Sequence, residues 1–177
     1  MRELALHLLD IMENSVRAGA RRVRVSIVLD DQKKCLALRV DDDGPGLPVN
    51  HDAALNPFFT TKSGKRTGLG LSLFQEAAER AGGRLSLENS PWGGLGVVAI
   101  FEYGHIDRTP LGNVPDTMMT LILTNPDMHL ECEVRGPGGA AAIATDDVAA
   151  DQGNPYATAL DFADKLRAAL NTADIGG

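Results

Sequence analysis

One stretch of this chain combines basic side chains with a glycine-rich helix start, as phosphate binding requires. Its members are Lys62, Lys65, Arg66, Gly68 and Gly70, and an apolar helical pattern begins at the second glycine. Glycines at a helix start let backbone N–H groups approach an anion, and the helix dipole favours negative charge there. The basic side chains supply countercharge, so the stretch predicts a site for the phosphates of a nucleotide.

Two other groups carry acidic and amide side chains. Asp10 and Asn14 stand four residues apart in a helical pattern, so they share one helix face. Asp42 ends a strand-like run, and Gly44 and Gly46 after it allow a tight turn beneath a ligand. Each group alone also fits an ordinary structural role, as a polar residue beside a helix end or as a common turn.

Hydrophobic periodicity predicts the elements that position these groups. In the first hundred residues they are a helix from about Glu3 to Ala18 stopped by Gly19, strands Arg22–Leu29 and Cys35–Val40, a helix from Leu69 to Ala81, and strands Arg84–Asn89 and Val97–Tyr103. We interpret residues 47–67 as a loop. A meandering sheet covered by helices predicts an α+β fold, a two-layer α/β sandwich.

The remaining residues predict a small C-terminal α/β appendage. We expect a linker from His105 to Pro115, a short helix Thr117–Thr124 capped by Asp116, an alternating strand from Met128 to Arg135 and a turn at Gly136–Gly139. A closing helix carries an apolar stripe of Tyr156, Leu160, Ala163, Leu166 and Leu170. We therefore divide the chain into residues 1–104 and 105–177.

Charge is unevenly distributed between these two parts. Residues 1–104 hold 13 Lys/Arg and 13 Asp/Glu, whereas residues 105–177 hold 4 and 11, which accounts for the net charge of −7. An acidic C-terminal part argues against nucleic-acid binding. It fits a solvated surface, which we favour, or a docking face for a basic partner.

Composition indicates a soluble protein of the cytoplasm. No apolar run approaches the length of a membrane span, and Met1 leads directly into a helical pattern without a signal peptide. Cys35 and Cys132 are too few and too far apart for a disulfide framework or a metal site, so we expect reduced, buried thiols in strands.

Four blocks in order, over roughly residues 3–103, resemble the GHKL superfamily, which includes DNA gyrase B, mismatch-repair ATPases, anti-sigma-factor kinases and histidine kinases. They are Asp10 to Asn14, Asp42 to Gly46, Pro57-Phe-Phe-Thr-Thr-Lys62, and Gly68-Leu-Gly-Leu-Ser-Leu73. The last two are similar to the ATP lid of a histidine-kinase catalytic domain. The resemblance implies a Bergerat-type ATP-binding fold with ATP and Mg²⁺ as cofactors.

The resemblance also implies roles for individual residues. Asn14 would coordinate Mg²⁺, and Asp42 would accept a hydrogen bond from the adenine amino group. Asp10 stands where hydrolysing members and anti-sigma kinases carry Glu, so it would act as a base through water or order the Mg²⁺ shell. The implied nucleotide contacts are Asn14, Asp42, Gly44, Gly46, Thr60, Thr61, Lys62, Lys65, Arg66, Thr67, Gly68, Leu69, Gly70 and Leu71.

Three functions remain open. A stand-alone histidine-kinase-like domain would transfer the γ-phosphate to an unknown partner protein, because no helical dimerisation segment precedes Arg2. The alternatives are a slow ATPase with Asp10 as base and a non-enzymatic, nucleotide-gated regulator. Arg2 to Ser15 and His105 to Gly112 also resemble small bacterial ATP-binding proteins associated with iron-hydrogenase genes, a resemblance that does not settle the biochemical role.

Overall fold

The computed structural model describes residues 3–47, 69–148 and 154–175. Its elements are α1 (Leu4–Arg17), β1 (Arg22–Asp30), β2 (Cys35–Asp42), α2 (Leu69–Arg80), β3 (Arg84–Asn89), β4 (Leu95–Glu102), α3 (Val114–Thr124), β5 (His129–Gly136), β6 (Gly139–Ala144) and α4 (Pro155–Thr172). Most of the boundaries that the periodicity predicts lie within one or two residues of these.

The strands form one six-stranded sheet in the order β3-β4-β2-β1-β5-β6. All neighbours are antiparallel except β1 and β5, which run parallel with Val25 opposite Cys132. Alternate residues of β1 to β5, such as Val25 and Leu38, point into one core that the helices cover. The chain therefore has the predicted α+β sandwich fold, and the strands of residues 105–177 extend the same sheet.

Helix α1 begins against the segment that the sequence predicts as a linker. The backbone N–H groups of Leu4 and Ala5 donate to the carbonyl oxygens of Pro110 and Leu111 at 2.8 and 2.9 Å. These bonds satisfy donors that a helix start otherwise leaves free. Residues 105–113 thus contact the helix that carries Asp10 and Asn14, while the division of the chain at residue 104 stays a prediction.

The predicted cap of α3 is wrong by one turn. Asn113, rather than Asp116, is the N-cap, and its side-chain oxygen accepts the Asp116 N–H at 3.1 Å. Pro115 lies in the first turn, where its missing N–H is not needed and its fixed φ favours the helix. The proline that we assigned to the linker is therefore part of the helix.

Two further corrections concern the C-terminal elements. Strand β6 was not predicted, because Gly-Ala-Ala-Ala-Ile-Ala contains no apolar–polar alternation. In α4 the predicted apolar stripe is only partly buried: Ala163, Leu166 and Leu170 are in the core, whereas Tyr156 and Leu160 are 56% and 42% exposed. The buried face instead includes Ala159 and Phe162.

Candidate nucleotide-binding site

The polar face of α1 meets the first turn of α2. A Cβ built on Gly70 would overlap Asp10 Oδ2, approach Asp10 Cγ to 3.0 Å and lie 3.7 Å from Asn14 Nδ2. Only glycine allows α2 to begin this close to both side chains. Two of the predicted groups, fifty-six residues or more apart in the sequence, are therefore brought together at a helix start, where backbone N–H groups and the helix dipole favour an anion.

Asp42 lies at the end of β2, buried except for 5% of its surface. Its carboxylate accepts three hydrogen bonds, from Ser15 Oγ at 2.5 Å and from the backbone N–H groups of Gly44 and Leu95 at 3.0 Å each. A carboxylate offers about four acceptor positions. The contacts fix the orientation of Asp42 and leave it able to accept one more donor, such as an exocyclic amino group.

The loops on either side of Asp42 pack closely because they contain glycines. A Cβ on Gly94 would overlap Asp42 Oδ1 and the Asp42 carbonyl oxygen, and would come within 2.7 Å of Gly44 N. Gly46 has φ +70° and lies 3.9 Å, measured from its ideal Cβ position, from the Gly94 carbonyl. Gly94 therefore packs against the turn that contains the predicted glycines Gly44 and Gly46. The sequence analysis did not identify Gly94 as part of the site.

Ser15 was missed as well. It follows Asn14 by one residue, so it points about 100° around the helix, toward the sheet. There its hydroxyl donates both to Asp42 Oδ2 and, at 3.3 Å, to the Ile11 carbonyl. This hydrogen bond connects Asp42, the predicted adenine contact, to the helix that carries Asn14, the predicted metal ligand. The two bonded residues are 27 positions apart in the sequence, so no local pattern reveals the bond.

The family resemblance predicts an extra carboxylate near the phosphates at Asp43, where Asn is common, but Asp43 binds the start of β1 instead. Its Oδ1 accepts the backbone N–H groups of Arg21 and Arg22 at 2.8 and 2.9 Å. Partial burial opposes ionisation, but these hydrogen bonds outweigh it and hold the pKa of Asp43 below its ordinary value. Asp43 therefore links the end of β2 to the start of β1, and the predicted contact with the base is assigned to Asp42 rather than Asp43.

The predicted lid lies outside the described residues. This applies to Thr60, Thr61, Lys62, Lys65, Arg66, Thr67 and Gly68, and to the side chain of Leu69. Leu71 is described, is partly buried and packs against the hydrophobic core. The roles of these residues in holding phosphates stay predictions, whereas the helix that follows them is placed beside Asp10.

The sequence of residues 2–105 matches the model of one protein family, the histidine kinase-, DNA gyrase B-, and HSP90-like ATPases. This chain belongs to that family. Relatives include the sensor histidine kinase CpxA of Escherichia coli, 33% identical over 95 residues, or 50% of this chain and 20% of that protein. The sensor protein kinase CarS of Pseudomonas aeruginosa is 39% identical over 101 residues, covering 54% of this chain and 22% of CarS.

Among solved structures, the ATP-binding domain of PrrB from Mycobacterium tuberculosis is 31% identical, with a TM-score of 0.43, and the match covers 53% of this chain and 62% of that chain. The chain spans about a fifth of the length of the curated kinases it matches. The GHKL membership that the motifs predict is confirmed, and residues 2–105 form a histidine kinase-like ATP-binding domain. An association with iron hydrogenases stays a prediction.

The residues of this ATPase-family domain fit Mg²⁺ as a companion of ATP. Asp10 and Asn14 offer hard oxygen ligands, and the close approach of Gly70 leaves their side chains at the helix start rather than covered by a Cβ. In the described parts of the chain, no three His, Cys, Asp or Glu side chains cluster as a metal site. A cation here would therefore draw further ligands from phosphate oxygens, as Mg²⁺ commonly does.

His7 lies one turn before Asp10, at the contact between α1 and α2. Its ring is 2% exposed and stacks on Phe74 with centroids 5.1 Å apart and planes 11° from parallel. Among the residues that the structure describes, none forms a hydrogen bond with its Nδ1. Burial, assisted by nearby positive charge that includes Arg80, lowers the pKa of His7 to about 4, so the ring is neutral at pH 7.

A network of charged side chains on the outer face of the sheet connects the β3–β4 turn to β5. The guanidinium carbons of Arg22 and Arg24 lie 4.3 and 4.5 Å from the centre of the Trp92 ring, which belongs to the β3–β4 turn. Glu131 pairs with Arg24 Nη2 at 2.7 Å and with His129 Nε2 at 2.8 Å. Residues after 105 thus support the turn whose Gly94 contacts Asp42.

None of the helices within residues 3–47, 69–148 and 154–175 is long and apolar enough to cross a membrane. Both cysteines are free: Cys132 is buried and Cys35 is partly buried. Burial raises the pKa of the Cys132 thiol to about 12. Both cysteines lie in strands, as predicted, but the predicted burial holds for Cys132 and not fully for Cys35.

Proposed function

We propose that this chain binds Mg-ATP beside α1 and α2 and transfers the γ-phosphoryl group to a separate partner protein. The observation that carries the proposal is the contact of Gly70 with Asp10 and Asn14. It puts a carboxylate and an amide at a helix start that follows a basic stretch. Family membership supports ATP as the nucleotide, and the relatives named above are kinases.

The chain's own residues would have distinct tasks. Asp42, held by Ser15, Gly44 and Leu95, would accept the adenine amino group and select adenine over guanine. Asn14 would hold Mg²⁺, which would neutralise charge on the phosphates. Lys62, Lys65 and Arg66 would add positive charge from the lid. Phosphoryl transfer depends mostly on such positioning and electrostatic stabilisation, so no covalent enzyme intermediate is required.

A second candidate, a slow ATPase, is favoured by the position of Asp10. Its carboxylate lies on α1 directly beside the start of α2. From there it could take a proton from an attacking water and act as general base. The same carboxylate could instead order the metal shell, which would leave hydrolysis slow. The two candidates share the binding site and differ in where the γ-phosphate goes.

The test is to incubate the full chain with γ-radiolabelled ATP, Mg²⁺ and a protein extract of its source organism, beside Asn14→Ala and Asp10→Asn. Label on a protein of the extract that disappears with Asn14→Ala supports transfer to a partner. Free phosphate that disappears with Asp10→Asn supports the ATPase instead. If ATP binds but all label stays in ATP, both phosphoryl transfer and ATP hydrolysis are excluded. The remaining candidate is a nucleotide-gated regulator, for which ATP should change how well the lid is protected from protease.

A further inference from the structure

Helices α3 and α4 present an exposed apolar surface that the ATP-binding domain does not use. Three of its residues are large and exposed: Leu123 at 38%, Leu160 at 42% and Tyr156 at 56%. They differ from the core-facing residues of the same helices, such as Leu121 and Leu166, which are fully buried. Exposed large apolar side chains that gather on one face mark interaction sites more often than scattered ones do.

An ion pair fixes how the two helices lie beside each other. Arg167 Nη2 of α4 contacts Asp116 Oδ1 of α3 at 3.2 Å, and both side chains are at least half exposed. The end of α3 lies near the beginning of β5, since His129 follows α3 closely, whereas the end of α4 lies near the end of β5, since Gly138 N donates to the Ala173 carbonyl oxygen at 3.4 Å. The helices are therefore antiparallel.

This register brings the apolar residues together. Leu123 follows Asp116 by seven residues and Leu160 precedes Arg167 by seven, so each is two turns, about 10.5 Å, from the ion pair on the same face. In an antiparallel pair Leu123 and Leu160 are then opposite each other. Tyr156 lies one further turn along α4. We name Leu123, Leu160 and Tyr156 the α3–α4 patch.

The helices that carry the α3–α4 patch have more acidic than basic side chains. The two helices and the loop between α3 and β5 carry four carboxylates and two cations on exposed or partly exposed residues: Asp116, Asp127, Asp161 and Asp164 against Lys165 and Arg167. Asp164 also pairs with Arg167 at 2.7 Å, so this arginine is shared by two carboxylates. The surface as a whole is negative, in agreement with the −7 charge of residues 105–177.

We propose that the α3–α4 patch binds an amphipathic helix of a partner protein that carries Lys or Arg beside its apolar residues. Leu160 and Tyr156 are one turn apart on α4, with Leu123 opposite Leu160, so they can contact apolar residues at i and i+4 of a helix that lies across them. The carboxylates would attract a basic helix and repel a second copy of this chain, because the same acidic surface would meet itself. The surface is thus a docking site for a basic partner, independent of nucleotide binding.

The test uses the full chain as bait for a display library of random 16-residue peptides, with selected peptides then measured by fluorescence anisotropy. We expect net positive sequences with apolar residues at helical spacing and binding that weakens as salt is raised. Leu160→Asp and Leu123→Asp should weaken binding about tenfold or more, in the range of interface anchor residues. Leu6→Asp is the control, since Leu6 is 41% exposed and belongs to α1 rather than to the α3–α4 patch.

Because all three sites are exposed, the variants should keep the thermal midpoint of the parent, which separates lost docking from lost folding. The proposal is overturned if no peptide is enriched, if selected peptides are acidic, or if they bind Leu160→Asp and Leu6→Asp equally. It is also overturned if sedimentation shows that the chain dimerises and that Leu160→Asp abolishes the dimer, because the patch would then bind a second copy.

Discussion

Gly70, in the first turn of α2, lies directly against the carboxylate of Asp10 on α1. The contact fixes the start of α2 against α1, and the Asn14 side chain lies beside it. It makes glycine at position 70 a requirement of the site rather than only of helix geometry. The first prediction follows from this contact.

Gly70→Ala should weaken ATP binding by roughly tenfold to a hundredfold, because displacing a positioning group by about 1 Å has effects of this order. The added Cβ would overlap Asp10 Oδ2, so either the carboxylate or the start of α2 must move. Isothermal titration with a non-hydrolysable ATP analogue measures the change. Gly104→Ala is the control, since its Cβ would meet no atom within 4 Å. Equal affinity in the two variants would contradict the contact's importance.

Asp42→Asn should lower ATP affinity about tenfold and reduce the preference for ATP over GTP, because one acceptor oxygen becomes a donor. The fold should persist, since the remaining oxygen can accept Gly44 N and Leu95 N while the new amide donates to Ser15 Oγ. Competition between ATP and GTP for a fluorescent nucleotide provides the measurement.

Asp43→Asn is the matched control for this substitution. Its carboxylate binds the backbone of Arg21 and Arg22, so the variant should lose some stability while keeping its nucleotide preference. If Asp43→Asn changed the ATP-to-GTP ratio as much as Asp42→Asn, the assignment of the base site to Asp42 would be wrong.

His7 should make stability fall as the medium becomes acidic. Its folded pKa of about 4 lies below the unfolded value of 6.5, so the unfolded chain binds the proton more readily between these values. The contribution of neutral His7 is complete above pH 6.5 and is lost progressively toward pH 4, by up to ~3 kcal/mol. Urea unfolding at pH 7 and pH 5 should show a smaller difference for His7→Phe than for the parent.

His129 makes stability depend on pH in the opposite direction, so its contribution must be distinguished from that of His7. Partial burial lowers its pKa, but hydrogen bonds to Glu131 and Asp146 outweigh burial and raise the pKa above 6.5. Its contribution is therefore complete below pH 6.5 and is lost as pH rises through the raised value. An acid-side slope that disappears with His129→Gln but survives in His7→Phe would refute the role of His7.

Glu131→Gln should destabilise the chain by about 1 kcal/mol, because it weakens partly exposed ion pairs with Arg24 and His129. It should also shift the fluorescence of Trp92, the single tryptophan of the chain, since the arginines over its ring lose their carboxylate partner. Glu133→Gln, two residues along the same strand, is the control because its contacts with Arg24 and Ser26 are both 3.5 Å long. An unshifted spectrum in Glu131→Gln would show that the network does not reach Trp92.

The sequence predicts most of the fold because apolar–polar alternation in strands and apolar periodicity in helices indicate directly which residues are buried. Val23, Val25 and Ile27 alternate with polar residues, and the structure buries them. Strand β6 has no such pattern, because alanine occurs at both its exposed and its less exposed positions. In α4 the pattern misleads, because Tyr156 and Leu160 are apolar without being buried. Composition could not distinguish an apolar core stripe from an apolar surface.

The candidate site was predicted in its parts rather than in its assembly. Asp10, Asn14, Asp42 and Gly70 were identified as separate groups, and the family resemblance assigned their roles. The bond from Ser15 to Asp42 and the contacts of Gly94 depend on the order β4-β2-β1, which brings distant segments to one end of the sheet. Strand order depends on tertiary packing, so no local spacing reveals these contacts.

Binding of Mg-ATP through Asn14 is tested most directly by a calorimetric titration of the full chain with a non-hydrolysable ATP analogue, with and without Mg²⁺. Glu13→Ala is the control, because Glu13 is on the same helix and pairs only loosely with Arg17 at 3.6 Å. We predict that Mg²⁺ strengthens binding in the parent and in Glu13→Ala but not in Asn14→Ala. An Asn14→Ala variant that binds the Mg²⁺ complex as tightly as the parent would contradict the account.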